Sequence, residues 1–252
     1  MSDAPRTWTA ATSGEIAAAA ARLVVVPVGA NEQHGPHLPL DTDTVLATAV
    51  AEAVVAQTPD TLLGPVLALG CSSHHMAFPG TMSLRVSTFV DTVVDVARSI
   101  AATGRTVLLL NGHGGNRAPL DVALIALADE GIRAWALTYW TLLEDVVVDA
   151  LGDDADTACG HAGALETALM SHLRPEAVRA AQIPAGPTPP AWPDPHMFST
   201  DAARVVRPFD QISPDGVIGR PALATPELGA RLFAAAVERC ALIAARILES
   251  SA

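Results

Sequence analysis

The chain has 252 residues, half of them hydrophobic and 17% charged, which suits a substantial buried core and excludes an intrinsically disordered chain. A formal charge of −12 argues against the basic surface that nucleic-acid binding requires. Cys71, Cys159 and Cys240 are widely spaced with no C-x-x-C pair, so neither a zinc knuckle nor a disulfide framework is indicated. Residues 1–9 lack a basic-then-apolar leader, and no apolar run reaches the ~18 residues that span a bilayer. A reducing cytoplasm is the expected location, with no membrane partner.

In chain order, Thr12-Ser13 before Glu15-Ile-Ala-Ala-Ala-Ala reads as a capped helix start. Residues 22–28 form a β-branched strand. Residues 44–57 are helical, with Thr42, Asp43 or Thr44 as cap. Residues 62–69 read as a second strand, interrupted by Gly64-Pro65. A loop over 70–82 leads to a helix over 87–103, with Phe89, Val90, Val93, Val94, Val96 and Ala97 on or near one face and Gly104 ending it. A third strand over 105–110 runs into a glycine-rich loop over 111–116. A helix over 119–130, a strand over 132–139 and a helix over 140–151 follow. Beyond Gly152 the rhythm changes: a helix over 164–173, a proline-rich stretch over 175–195, an edge hairpin over 204–217 and a closing amphipathic helix over 226–250.

Strand, loop and helix thus alternate four times, the pattern of an α/β protein built from right-handed crossovers: a three-layer α/β/α domain around a mostly parallel sheet, taken as one domain over the whole chain. Continuous apolar strands fit burial on both faces. Ligands in such sheets gather beyond the carboxyl ends of the strands, and the polar loops here all follow strands.

Four constellations fall in those loops. After the first strand, Glu32, His34, His37, Asp41 and Asp43 lie within a dozen residues. Burying so many unpaired charges costs several kcal/mol or more, a cost a divalent metal offsets; the alternative is a solvated polar loop. Glu32 and His34, two apart, share a side of an extended segment. After the third strand comes Asn111-Gly-His113-Gly-Gly-Asn116, which favours a metal over a phosphate because it lacks the lysine and the spacing of a P-loop. His161, before a helix that carries Glu166, is the third. Ser72-Ser-His74-His75 before Phe78-Pro-Gly-Thr81 is the fourth, placed to form a substrate wall or simply an ordinary loop. Carboxylate and imidazole ligands without thiolate suit zinc, manganese or iron. Asp43, near a helix start and between two loop ligands, is placed to bridge two ions. His37 reads as a pocket residue, Trp140 as a pocket wall or packing, His172 as surface or core, His196 as a solvated loop residue and Cys71 as an inert buried thiol.

Glu32-Gln-His34-Gly-Pro-His37-Leu-Pro-Leu with Thr42-Asp43, Phe78-Pro-Gly-Thr81, Asn111-Gly-His113-Gly-Gly-Asn116 and His161-Ala-Gly-x-x-Glu166-Thr resemble the creatininase (creatinine amidohydrolase) family over residues 24–170, and Gly216-Val-Ile-Gly219 resembles the family's end. The resemblance implies a metal-dependent hydrolase of amide-type C–N bonds with two divalent ions, zinc first, manganese or iron otherwise. It places one ion on Glu32, Asp43 and His113 and the other on His34 and Asp43. Creatininase proper has a glutamate two residues after the loop histidine. Gly115 stands there in this chain, so Glu166 becomes the replacement ligand. His161 would act as general acid or hold the oxyanion, with Glu166 beside it. The implied substrate is a small amide or cyclic amidine attacked by a metal-bound hydroxide. The alternatives are cleavage of a peptide C-terminus, as in the mycofactocin precursor peptidase, which residues 39–44 resemble, and deformylation of a formamidopyrimidine. A metal- or nucleotide-binding module without turnover is the non-enzymatic reading. The resemblance also implies a homo-oligomer, often a hexamer.

Overall fold

The computed structural model describes residues 6–184 and 206–250. The first helix, α1 (Ser13–Ala18), starts at Thr12, whose hydroxyl accepts the Glu15 N–H while the Glu15 carboxylate accepts the Thr12 N–H, a reciprocal capping box. Next come β1 (Leu23–Val28), α2 (Thr42–Gln57), β2 (Thr61–Leu63), α3 (Val86–Ala101), β3 (Thr106–Asn111), α4 (Arg117–Asp129) and β4 (Ala134–Thr138). The rest comprises α5 (Glu144–Leu151), α6 (Ala155–Ala158), α7 (Ala164–Leu173) and α8 (Pro226–Ser250). The four strands form one parallel sheet in the order β2-β1-β3-β4. Every residue of β1 is buried, as its uninterrupted apolar sequence requires of a strand covered on both faces.

Two clusters fill those faces. Val25, Leu108 and Leu110 pack with α2, α7 and α8 on one side. Val24, Val26, Val107 and Leu109 pack with Phe89, Val93 and Ala97 of α3 and with Leu120 and Leu127 of α4 on the other. This is the expected α/β/α layering.

The differences from the expected elements have local causes. Strand β2 stops at Leu63 because Gly64-Pro65 intervenes: proline has no N–H for the ladder, and pairing resumes only as a single bridge between Leu67 and Val28. Helix α2 begins two residues earlier than expected, at Thr42, which puts Asp43 inside the first turn. The segment over 140–151 divides into a 3-10 turn (Tyr139–Leu142) and α5. No hairpin forms over 206–217. Pro208 and Pro214 break the ladder, and Ser213 Oγ accepts the Val217 N–H, closing a turn that leads Ile218 to a bridge with His161. The first residues of the expected hairpin, most of the proline-rich stretch and His196 lie outside the described residues. No helix among the described residues is long and apolar enough to cross a membrane.

The strand order has one consequence for the site. From β1 the chain leaves toward β2, and from β3 it leaves toward β4, although β1 and β3 are neighbours. Their two loops therefore diverge and open a crevice at the carboxyl ends of the central strands.

Candidate metal centre

Both diverging loops empty into that crevice. Gly112 donates to the Val28 carbonyl, which continues the β1–β3 pairing one residue beyond the strands. Asn116 then ties three segments together. Its Oδ1 accepts the Cys71 N–H at 2.9 Å, and its Nδ2 donates to the Gly29 carbonyl at 3.0 Å and to Asn111 Oδ1 at 3.3 Å. Gly29 has to be glycine, since a Cβ there would fall on Thr44 at the start of α2. These contacts bring Glu32, His34, Asp43, His113, His161 and Glu166 to one place. Five of the six are at least 95% buried, and Glu166 keeps 16% of its side chain exposed.

The three histidines are held alike. His34 Nδ1 lies 3.1 Å from the Glu32 carbonyl, His113 Nε2 lies 3.1 Å from the Cys71 carbonyl, and His161 Nε2 lies 2.7 Å from the Gln33 carbonyl. A carbonyl can only accept, so each of these nitrogens carries its proton and donates. The opposite ring nitrogen of each histidine then faces carboxylate oxygen. His34 Nε2 is 3.2 Å from Asp43 Oδ1 and 3.9 Å from Glu166 Oε1. His113 Nδ1 is 3.1 Å from Asp43 Oδ2 and 3.2 Å from Glu32 Oε1. His161 Nδ1 is 3.7 Å from Glu32 Oε1. One oxygen of Asp43 thus faces each of two imidazoles, the position expected of a bridging ligand.

These donors fit a metal on three counts. Tetrahedral coordination with bonds of about 2.0–2.2 Å separates ligand atoms by roughly 3.3–3.6 Å, close to the spacings here. Glu32 Oε2 and Asp43 Oδ2 are buried with no hydrogen-bond partner; the His113 contact to Asp43 is close but not aligned as a hydrogen bond. Backbone carbonyls fix each imidazole from behind, the arrangement that orients metal-ligating histidines. Three triads have ligand atoms close enough to share an ion: Glu32 with His34 and His161, Glu32 with His74 and His113, and His34 with Asp43 and Glu166.

The electrostatics agree. Burial alone would lower the pKa of His34, but Asp43, Glu166 and Glu32 overcome it and raise the value to about 10. His113 is likewise penalised by burial and raised well above the usual histidine range by Glu32 and Asp43. The cluster therefore demands positive charge, as protons or as metal. Burial, reinforced by the charge on His34, lowers His161 to about 3. Burial raises Glu166 to about 7, with His34 opposing.

Glu166 sits in the first turn of α7, and its Oε2 accepts the Ala162 N–H at 2.6 Å. Ala162, next to His161, has φ of +50°, a conformation uncommon for alanine, which this hydrogen bond helps to hold. His37 is buried outside the triads, with Nε2 2.8 Å from Thr167 Oγ1, and it does not line the cleft described below. His172 instead packs its ring near Phe233 of α8.

The loop over 70–82 contributes more than its sequence indicates. His75 is fully buried, with Nε2 3.5 Å from Glu32 Oε1, and His74 joins a triad. Gln33 explains the placement of His75. Its Oε1 accepts the Gly35 N–H, so its Nε2 donates to the Gly216 carbonyl and to His75 Nδ1 at 2.9 Å. His75 therefore carries its proton on Nε2, toward Glu32. The paired histidines at a strand end are the only sequence signal. Gly115, where the family resemblance places a glutamate, is closed: a Cβ there would collide with the Cys71 carbonyl and lie 2.5 Å from His113 Nε2.

A cleft of about 220 Å³ opens onto the cluster, lined by Glu32, Asp43, His113 and Glu166 at its floor and by Trp140 and Leu165 among its walls. Cys159 also lines it, with burial raising the thiol to about 11, outside the range of a ready nucleophile.

A parallel sheet with buried carboxylates and carbonyl-anchored imidazoles at its topological switch point is the frame of a metal-dependent hydrolase. The chain belongs to the creatininase family, a family of metal-dependent amidohydrolases: the creatinine amidohydrolase family model matches residues 7–243. The mycofactocin precursor peptide peptidase of Mycolicibacterium smegmatis is 38% identical, over 87% of this chain and 83% of that one. The creatinine amidohydrolase of Pseudomonas putida is 34% identical, over 74% and 77% respectively. A mutant creatininase of Zn-Zn type superposes with a TM-score of 0.78 at 28% identity, covering 95% of this chain and 96% of the other. A manganese creatininase gives a TM-score of 0.78 at 28% identity, covering 94% and 96%.

Proposed function

We propose that the chain hydrolyses an amide bond near the C-terminus of a peptide. Glu32 and His113, with the Asp43 oxygen that faces His113 or with His74, would hold one divalent ion and His34, Asp43 and Glu166 a second; zinc, manganese or iron suits this oxygen and imidazole set. Such ions, when bound, supply Lewis acidity toward a carbonyl oxygen and make a water more acidic.

The protein's own groups orient the reaction and carry its proton. The Gln33 carbonyl holds His161 Nε2–H, so Nδ1 is the atom left to face the reacting groups. Burial, the largest cause of its lowered pKa, keeps His161 neutral at pH 7. His161 accepts a proton at Nδ1 from the water that attacks the carbonyl and, as the C–N bond breaks, returns that proton to the leaving nitrogen, so it serves as base before acid. Glu166 keeps Oε2 on the Ala162 N–H, which aims the carboxylate into the cleft. Trp140 and Leu165 limit water on the apolar side.

The observation that carries the peptide reading is the closure at Gly115. The glutamate of creatininase proper has no room here, while a peptidase relative matches more of the chain at higher identity than the creatinine enzyme does. The modest cleft volume, about 220 Å³, favours a second reading, a small amide or cyclic amidine such as creatinine. Zinc- or manganese-loaded protein incubated with synthetic peptides and with creatinine separates the two. Release of short C-terminal fragments with creatinine unchanged is expected; creatinine turnover with intact peptides would overturn the peptide reading.

A further inference from the structure

The cleft has a cationic residue that the proposed hydrolysis leaves unused. Arg117 opens α4, four residues after His113 on the same tied loop, and lines the cleft with Glu32, Asp43 and Glu166. It is the only lysine or arginine among the described cleft residues, and its side chain is exposed. No ion pair or hydrogen bond engages its guanidinium among the described residues, although arginines elsewhere pair closely: Arg239 with Asp145, Arg98 with Glu130 and Arg231 with Asp149. A guanidinium with no partner among the described residues, on the lining of an acidic cleft in a chain of net charge −12, is poised for an anion that arrives with the substrate. Arg117 and His113 cannot drift apart. Asn116 lies between them with its side chain bonded to Cys71, Gly29 and Asn111, and the Arg117 N–H donates to the Gly114 carbonyl.

We infer that Arg117 reads a carboxylate on the substrate, the C-terminal carboxylate of a peptide, and so sets how far from the chain end the scissile amide lies. Guanidinium and carboxylate match as a two-bond fork, and charge-assisted hydrogen bonds of this kind are about twice as strong as neutral ones. The floor carboxylates would otherwise repel such a substrate; Arg117 supplies the attraction from a backbone position tied to that of His113. The inference rests on the peptide reading above.

The test uses full-length, zinc-loaded protein and synthetic peptides made with a free C-terminal carboxylate or a C-terminal carboxamide. A second pair, both carboxamides, differs only by an internal glutamate or glutamine. Wild type is expected to favour the free acid about tenfold or more in kcat/KM, mainly through KM. Arg117→Gln is expected to erase that preference while cleaving the carboxamide as wild type does, and Arg117→Lys to restore part of it. A preference for the internal glutamate that Arg117→Gln erases would support carboxylate reading with a side chain as its source. A wild type indifferent to carboxylates, or a preference that survives in Arg117→Gln, overturns the role of Arg117 and leaves the peptidase reading standing. Failure of wild type to cleave any peptide overturns the peptidase reading and this assignment with it.

Discussion

Filling the centre with metal should release protons, and the structure sets the number. Without metal, Glu32 and Asp43 are ionised: burial raises both, but His113 for Glu32 and His34 with His113 for Asp43 outweigh it and hold the carboxyls below their usual values. Two negative charges are then balanced by protons on His34, raised to about 10, and on His113, raised well above the histidine range. A metal ligand must offer a lone pair, so both protons leave on loading. At pH 8, saturation with zinc should release about two protons per chain, about one for each ion, and the apparent affinity for each ion should rise about tenfold per pH unit there. Ionisation of a bound water would add to this number and not subtract from it. Calorimetric titration of zinc into metal-free protein, in two buffers of different ionisation enthalpy, counts them. Release below about half a proton would refute the charge argument, because the imidazoles would then have been neutral beforehand. The same shift fixes a stability trend. The folded pKa of His34, about 10, lies above its unfolded value near 6.5. Its contribution is full below pH 6.5 and is lost as pH rises through 10. Thermal unfolding of the metal-free protein should shift to lower temperature across that window, and a midpoint that rises would contradict it.

Two substitutions examine the frame. Gly115→Glu places a Cβ against the Cys71 carbonyl, so the chain must shift and His113 loses its anchor; about 1–3 kcal/mol should be lost from overpacking, with weaker zinc affinity and no gain of creatinine turnover. Urea denaturation and zinc competition measure both, and a neutral effect would mean that the loop yields freely. Asn116→Ala removes three buried hydrogen bonds and should cost about 2–4 kcal/mol in urea denaturation while weakening zinc binding; a loss under about 1 kcal/mol would show that the loops hold together without it.

How much of this is legible in the chain depends on the range of the interaction responsible. That Glu32, His34, Asp43, His113, His161 and Glu166 gather in one cluster is readable because each sits in a short motif at a strand or helix end. α7 and α8 are readable to the residue: helix formers run unbroken between Gly163 and Arg174, and Pro226 opens the last helix with the missing N–H of a first-turn residue. The expected hairpin does not form because Pro208 and Pro214 outweigh the alternating apolar residues around them. His75 is not legible, since nothing local in Ser72-Ser-His74-His75 indicates which imidazole turns inward. That choice is made by Gln33, 42 residues away, whose amide is itself oriented by Gly35 and Gly216. Nor does any motif state that β1 and β3 are neighbours. Yet that adjacency is what brings Glu32 within 3.2 Å of His113. Had β2 been inserted between them, strands about 4.8 Å apart would have put these loops nearly 10 Å from one another, and the same motifs could not have shared an ion. The cluster is thus specified twice, by residue types in the loops and by apolar strands whose pairing order places those loops side by side.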